Sequence, residues 1–166
     1  ERFFRPLVGG IQLDPSLGTS RRMFDIIFRT LAAGDVGVPA AGMGAISDQL
    51  ASRILRTPIH LNTTIASISP HEVTVSGGHR ISSRAIIVAT QGPVASRLLD
   101  LPPVASRSAG CVYFAAKSAP VDGSYIVLDG GGQGPVLNVA VMSNTARQYA
   151  PYGQHLIAAA MPGVCD

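Results

Sequence analysis

Charged side chains are scarce in this sequence. Only 14% of its 166 residues are charged, whereas 46% are hydrophobic. A composition this apolar excludes a disordered chain, and a chain of this length buries roughly 70% of the surface that it exposes when unfolded. So little charge also predicts that part of the apolar surface is covered by something outside the chain. Because the sequence starts at Glu1 rather than at a methionine, we expect it to be a piece of a longer protein.

Basic clusters and cysteine frameworks are also lacking. The net charge of +3 comes from Lys117, the one lysine, and from arginines scattered among acidic residues. Without a basic face, no binding to nucleic acid is predicted. The two cysteines, Cys111 and Cys165, share no metal-binding spacing, so we expect free, buried thiols rather than a disulfide, in a reducing compartment.

Targeting segments are absent as well. The sequence shows neither a signal peptide nor the roughly 20 consecutive apolar residues that cross a bilayer. It therefore predicts a cytoplasmic location, and it leaves open a peripheral attachment of the longer protein to a membrane.

The motifs of common catalytic sites are missing. The histidines at positions 60, 71, 79 and 155 have no partner at metal-ligand spacing, so no metal site is predicted. There is no Gly-x-Ser-x-Gly motif, activated cysteine or close pair of carboxylates. No catalytic residue can be named, and if the longer protein is an enzyme, we expect a cofactor to carry its chemistry.

What the sequence does have is a patterned stretch from Ile59 to Thr90. Three short runs of β-favouring residues, separated by turn residues, predict a β-meander. These runs lie around Ile65–Ile68, Val73–Val75 and Ile81.

An unbroken apolar run at residues 85–89 follows the meander. It predicts a strand buried on both faces, as in the middle of a parallel sheet. Ligands of such sheets lie beyond the carboxyl ends of the strands. Thr90 and Gln91, which come directly after the run, are therefore candidate ligand-binding residues.

A helix is predicted between Ser20 and Gly34. Thr19 or Ser20 caps it by accepting a hydrogen bond from the backbone, and its apolar residues recur at helical spacing. We interpret the apolar stripe as one face of a core helix. The alternative is a pocket for an apolar substrate, lined by Met23, Phe24 or Phe28.

A second helix is predicted to begin at Ser47 or Asp48 and to end before Pro58. The glycines just before it, Gly42 and Gly44, are spaced as in a dinucleotide-binding motif. We interpret them as a structural loop, because no convincing strand precedes them and no acidic residue follows about 20 positions later. A nicotinamide-binding domain built on these glycines would require such a strand.

The rest of the chain predicts a helix from Pro93 to Leu99, a stiff linker at Pro102-Pro103, and then strands. A glycine-rich loop at 129–135 is interpreted as a hairpin connection. The predicted strands lie at 109–116, 125–128, 136–143 and 155–161.

Three phrases of the sequence, taken together and in order, resemble a superfamily of FAD-dependent oxidoreductases. This superfamily contains flavin amine oxidases, phytoene-type carotenoid desaturases and protoporphyrinogen oxidases, and the resemblance slightly favours the desaturase-like branch. The phrases are FFRPLVGG, TSRRMF and VPAAGMGAI within residues 3–46, LNTTIASI and IIVAT within residues 61–90, and VMSN and YAPYG within residues 141–153.

The resemblance implies an α/β fold with α+β character, divided into three segments. Residues 38–104 would form a partial FAD-binding lobe with the β-meander and the parallel strand. Residues 1–37 and 105–166 would belong to an antiparallel-sheet substrate lobe. In this family, the backbone amide and carbonyl at the place of Ile65 meet the adenine end of FAD, and Thr90 and Gln91 would pass close to the cofactor.

The complete protein would oxidise a C–N or C–C bond of a small-molecule substrate by passing a hydride to the flavin and then to an acceptor. The phenylalanines of the chain suggest a hydrophobic substrate, but packing in a core explains them equally well. The family's glycine-rich pyrophosphate motif and its C-terminal flavin-contacting segment are absent from this sequence. We therefore expect these segments of the same protein as partners, and weak or no FAD binding and no turnover without them. The alternative function is a non-catalytic binding or assembly module, which predicts a stable, self-contained sheet.

Overall fold

The computed structural model describes residues 2–163 of the chain. They contain five α-helices and seven strands, which confirms a mixed fold of α+β character. The helices are α1 (Phe4–Gln12), α2 (Arg21–Ala33), α3 (Gly44–Arg53), α4 (Gly92–Leu99) and α5 (Met142–Thr145). The strands are β1 (Ile65–Ser69), β2 (Glu72–Val75), β3 (Arg80–Ser82), β4 (Ala109–Ala116), β5 (Ile126–Leu128), β6 (Asn138–Val141) and β7 (His155–Pro162).

The chain divides into two compact units. The flanking unit comprises Glu1–Ile54 and Arg107–Asp166, and the meander unit comprises Leu55–Ser106. The meander unit thus starts later than the FAD-binding segment 38–104 expected from the sequence. The assignment of the segments to cofactor and substrate lobes remains a prediction.

The flanking unit is built on a four-stranded antiparallel sheet of order β4-β7-β6-β5. α1 packs against β6 and β7, and the buried apolar residues Val141 and Ala159 lie in those two strands. Four strands were expected here, and the bounds of β4 are those predicted. The hairpin loop between β5 and β6 also forms, because the Asp129 carboxylate accepts hydrogen bonds from the N–H groups of Gly131 and Gly132.

α2 begins and ends as predicted but is not a core helix. The Ser20 hydroxyl accepts a hydrogen bond from the Arg22 N–H, and the helix stops before Gly34. None of its residues is buried. The core-helix prediction is therefore wrong, because within residues 2–163 no other helix or strand packs closely along the apolar stripe.

α3 starts earlier than expected. The turn in which Gly42 N–H bonds to Pro39 C=O leads directly into a helix from Gly44, so Ser47 and Asp48 lie inside the helix and do not cap it. Residues 35–39 contain no strand. The nicotinamide-binding alternative therefore loses the strand that it requires.

The meander unit contains the predicted three-stranded meander, in the order β1-β2-β3. α4 covers Gly92–Leu99, which is the predicted helix with one more residue at its start, and it packs on β1. A β-bulge between Ile65 and Ser67 shifts the register of β1 against β2.

The predicted parallel strand at 85–89 does not form. The segment carries no strand pairing, and Ile87 is 91% exposed, whereas Ile86 and Val88 are half-buried. A strand buried on both faces needs a neighbour on each side. No strand in the described part of the chain pairs with these residues, so the run lies extended with only one apolar side covered.

The cysteine prediction is half wrong. Cys111 is a free thiol, as expected, but it is exposed on β4 rather than buried. Cys165 lies outside the described residues.

Candidate functional site

Ile65 lies at an open edge of the meander. β1 is the outer strand of its sheet, and Ile65 pairs with Val75 of β2. The neighbouring pair, Thr64 with Ser76, is hydrogen-bonded, because Ser76 N–H donates to Thr64 C=O at 2.8 Å. Hydrogen-bonded and non-hydrogen-bonded pairs alternate along antiparallel strands, so Ile65 and Val75 form a non-hydrogen-bonded pair. The N–H and C=O of Ile65 therefore point away from β2. A backbone donor and acceptor therefore stand side by side at the edge.

Thr90 and Gln91 lie where the extended segment meets α4. Both are exposed, and Gln91 is the residue that precedes the helix; its C=O accepts a hydrogen bond from Ala95 N–H at 2.9 Å. The N-terminal end of a helix carries partial positive charge, and here no side chain caps it. The cofactor roles assigned to Ile65, Thr90 and Gln91 remain predictions.

A cleft of about 580 Å³ opens inside the meander unit. Its apolar walls come from β1, from the extended segment and from α4, so the half-buried side of residues 85–89 faces it. The lining residues are Ile68, Ser69, Pro70, Ile86, Val88, Leu98, Leu99 and Asp100.

A second, more apolar groove lies in the flanking unit, between α1 and the start of α2. It has a volume of about 370 Å³ and is lined by Phe4, Val8, Leu17, Thr19, Arg21 and Phe24. Of the three residues proposed for an apolar pocket, Phe24 lines this groove; Met23 and Phe28 do not. The lining is mostly apolar and includes one guanidinium, that of Arg21.

A buried carboxylate holds the loop beside this groove. Asp14 accepts hydrogen bonds from the hydroxyls of Ser16 and Thr19 and forms an ion pair with Arg107 at 2.9 Å. Hydrogen bonds from Ser16, Thr19 and Arg107 hold the pKa of Asp14 well below its ordinary value, although burial alone would raise it. Because Thr19 belongs both to this cluster and to the groove, Asp14 positions one wall of the groove.

This cluster was not predicted from the sequence. The Asp14-Pro15-Ser16 run is a local signal for a turn closed by the aspartate side chain. Nothing local to Arg107, however, indicates a partner 93 positions earlier in the chain.

The structure adds no conventional catalytic group. The residues it describes contain no cluster of histidine, cysteine and carboxylate side chains that could hold a metal ion. Ser143 contacts His155 Nδ1 at 3.3 Å, but its hydroxyl also accepts the Leu156 N–H and is buried within the flanking unit. The pair therefore fits a structural role. None of the helices in residues 2–163 combines the length and the hydropathy needed to cross a bilayer.

Comparison with known proteins identifies the class. A sequence model of the family described as flavin containing amine oxidoreductase matches residues 1–164, and the chain therefore belongs to this family. It is accordingly related to flavin-dependent oxidoreductases. No curated protein matches the chain closely enough to count as a relative.

The residues present fit a flavin nucleotide in part. The open edge at Ile65 offers a backbone N–H and C=O, which is the kind of contact expected from the resemblance for the adenine end. The exposed start of α4 is a second polar surface in the same unit. Neither surface is an enclosed pocket for a three-ring flavin.

Proposed function

We propose that this chain is the central part of an FAD-dependent oxidoreductase. In its complete form the enzyme oxidises a C–N or C–C single bond of a small, hydrophobic substrate to a double bond. A hydride passes from the C–H group of one atom of that bond to the flavin, and the neighbouring atom loses a proton to water. The chain alone holds FAD weakly and does not turn over. The orientation of the Ile65 backbone, in a chain that belongs to the flavin-containing amine oxidoreductases, is the observation that carries this proposal.

The Ile65 edge has the chemistry to recognise adenine. An adenine ring presents hydrogen-bond acceptors next to its exocyclic amino donor. A backbone N–H and C=O that point outwards from the same residue are complementary to such an edge. The recognition uses no side chain, so an apolar residue suffices at this position.

The remaining residues of this chain bind and orient rather than react. FAD, when bound, supplies the acceptor for the hydride, which is chemistry that no side chain provides. Thr90 and Gln91 would contact the cofactor near the start of α4. The apolar groove beside Asp14, which Phe24 helps to line, would form part of the wall for a hydrophobic substrate. The slight preference for a desaturase-like substrate rests on the sequence resemblance.

Titration of the 166-residue chain with FAD tests the first part of the proposal. We expect a dissociation constant above about 1 μM, measured by the quenching of flavin fluorescence. Submicromolar binding would show that the chain holds the cofactor by itself and would overturn this part.

A proline substitution in the longer protein tests the adenine contact. Ile65→Pro removes an N–H that points away from β2, at the first residue of a strand, where proline is tolerated. We expect FAD affinity to fall at least tenfold, while Ile65→Ala, which keeps the N–H, retains it. Equal affinity in both variants, with unchanged circular dichroism, would exclude the backbone contact.

A further inference from the structure

The open side of β4 is the most exposed strand edge in the flanking unit. β4 is an outer strand of the four-stranded sheet, and its eight residues, AGCVYFAA, contain no charge and no proline. Tyr113 is 63% and Phe114 52% exposed. Outer strands in soluble proteins are normally short, charged, bulged or covered, because a long apolar edge pairs with other strands. β5, the other outer strand, has only three residues.

The backbone groups on this edge have a defined pattern. Gly163 N–H donates to Ser108 C=O at 2.8 Å, which continues the ladder between β4 and β7. Because hydrogen-bonded pairs alternate in antiparallel ladders, the even-numbered residues of β4 bond to β7. The odd-numbered residues direct their N–H and C=O groups outwards. They are Ala109, Cys111, Tyr113 and Ala115. No hydrogen bond to these outward groups is found within residues 2–163.

We propose that the β4 edge binds the β4 edge of a second copy of this chain, antiparallel and centred on Tyr113. The two four-stranded sheets would then form one continuous sheet. The pairing involves residues of the flanking unit only, and it is independent of the proposed oxidoreductase function.

A two-fold axis at Tyr113 pairs side chains that suit one another. Directly opposed residues of two antiparallel strands point to the same face of the sheet, and faces alternate along each strand. When the two strands are copies of β4, the two-fold axis must therefore pass through a residue and not between two residues. With Tyr113 opposite its own copy, Val112 faces Phe114 on the other side of the sheet. Aromatic pairs and pairs of aromatic with β-branched residues are the favourable cross-strand combinations. Small residues then meet small ones, with Cys111 opposite Ala115 and Gly110 opposite Ala116.

Charge does not oppose this arrangement. The cation nearest to β4 in sequence is Lys117, which directly follows the strand. In this register it lies opposite Ala109 of the second copy. Arg107, before β4, is held in the ion pair with Asp14. Two copies therefore approach along an uncharged edge.

The amount of exposed surface also suits an interface. The chain exposes 12663 Å². A folded protein of its mass exposes about 7,800 Å², and even two separate globules of the sizes of the two units expose about 9,000 Å². A stable dimer buries about 800 Å² per partner, which is a small part of this excess.

Sedimentation equilibrium of the 166-residue chain at tens of micromolar tests the proposal, with far-UV circular dichroism on every variant. We expect a dimer. Tyr113→Lys places two cations opposite each other, and Ala115→Pro removes an outward N–H without touching the β7 ladder. Each should weaken dimerisation at least tenfold. Tyr125→Lys, an exposed tyrosine beside β5, is the control and should leave the dimer intact. A monomeric chain would overturn the proposal and would indicate that the β4 edge pairs with a strand of another polypeptide segment. A dimer that survives both substitutions would also overturn the proposal.

Cross-linking tests the register independently. In a Cys165→Ser background, Ala115→Cys should form an intermolecular disulfide with Cys111, because paired Cα atoms about 5.5 Å apart permit one. Ala109→Cys lies on the same face and should not cross-link to Cys111. Efficient cross-linking of Cys111 to itself, without any added cysteine, would exclude the Tyr113-centred register.

Discussion

The two units of this chain hold their folds together over different distances. In the flanking unit, side-chain hydrogen bonds join residues far apart in sequence, such as Tyr149 to Pro39 and Arg107 to Thr19. In the meander unit, the described side-chain hydrogen bonds reach at most three residues along the chain. The flanking unit therefore closes long loops with polar contacts, whereas the meander unit depends on its strand ladder and on local turns.

The buried residues differ in the same direction. Val141, Ala146 and Ala159 provide a small apolar core in the flanking unit, but the only buried residue described in the meander unit is Ser96. A unit of about 50 residues is marginal even with a normal core. The meander unit, where the cofactor contacts are proposed, therefore relies more than the flanking unit on surfaces supplied from elsewhere. Four substitutions, three of them with a matched control, test this difference between the units.

The largest effect is expected at Val141, which is 2% exposed in β6. Val141→Asp buries an unpaired carboxylate and should lower the free energy of unfolding by about 3–5 kcal/mol. Urea unfolding followed by circular dichroism measures it.

The matched control lies in the meander unit. Ile87→Asp places the same group in a run that looks equally apolar in sequence, but Ile87 is exposed. We expect a change of less than about 0.5 kcal/mol. A loss as large as that of Val141→Asp would show that the meander unit has a core after all.

The second-largest loss of stability is expected on substitution of Asp14, and this loss depends on pH. Its pKa is lower in the folded chain than in the unfolded one, so the unfolded chain takes up the proton first as the pH falls. The stabilisation is therefore fully present above the unfolded pKa of about 3.9 and is lost as the pH falls below it. Asp14→Asn should lower stability at pH 7 and flatten this acid-side decline in urea unfolding. Asp48→Asn, at an exposed position on α3, is the matched control and should not lower stability at pH 7 measurably.

The sequence predicted elements better than it predicted their surroundings. β4 and α4 form where local signals placed them, since apolar runs, Pro93 and the turn residues act over a few positions. The run at 85–89 has the composition of a buried strand, but composition does not reveal whether neighbouring strands exist. For the same reason, the amphipathic pattern of α2 predicted a helix correctly and its burial wrongly.

The candidate site was predictable only in part. The Ile65 position came from resemblance to a family, and the direction of its backbone groups follows from a bulge and register that the sequence does not encode visibly. The Asp14–Arg107 pair was missed because its partners are brought together by the fold of the whole flanking unit. Phe24 was one of three alternatives, and only the geometry of the groove separates it from Met23 and Phe28.

A smaller effect is expected at Tyr149, which ties the loop before α3 to the segment before β7 within the flanking unit. Its hydroxyl donates to Pro39 C=O at 2.7 Å and is partly buried. Tyr149→Phe should cost about 1 kcal/mol, because the Pro39 carbonyl loses one of its two hydrogen bonds and keeps only that from Gly42 N–H. Tyr152→Phe removes a hydroxyl from a fully exposed ring and should change nothing measurable. Equal losses from the two substitutions would mean that the loop is not held by this bond.

The smallest effect should come from the ion pair of the meander unit. The Arg80 guanidinium on β3 lies 3.5 Å from the Glu72 carboxylate on β2; the Arg80 side chain is 70% exposed and the Glu72 side chain 34%. Such pairs contribute about 0–1 kcal/mol and are screened by salt. Arg80→Ala should therefore lower the free energy of unfolding by less than about 0.5 kcal/mol at low ionic strength. In about 0.5 M salt, where charges are strongly screened, the variant and the original chain should have the same free energy of unfolding. A larger, salt-independent loss would show that the meander unit, like the flanking unit, is held by a polar side-chain contact. The contrast between the two units would then rest on their cores alone.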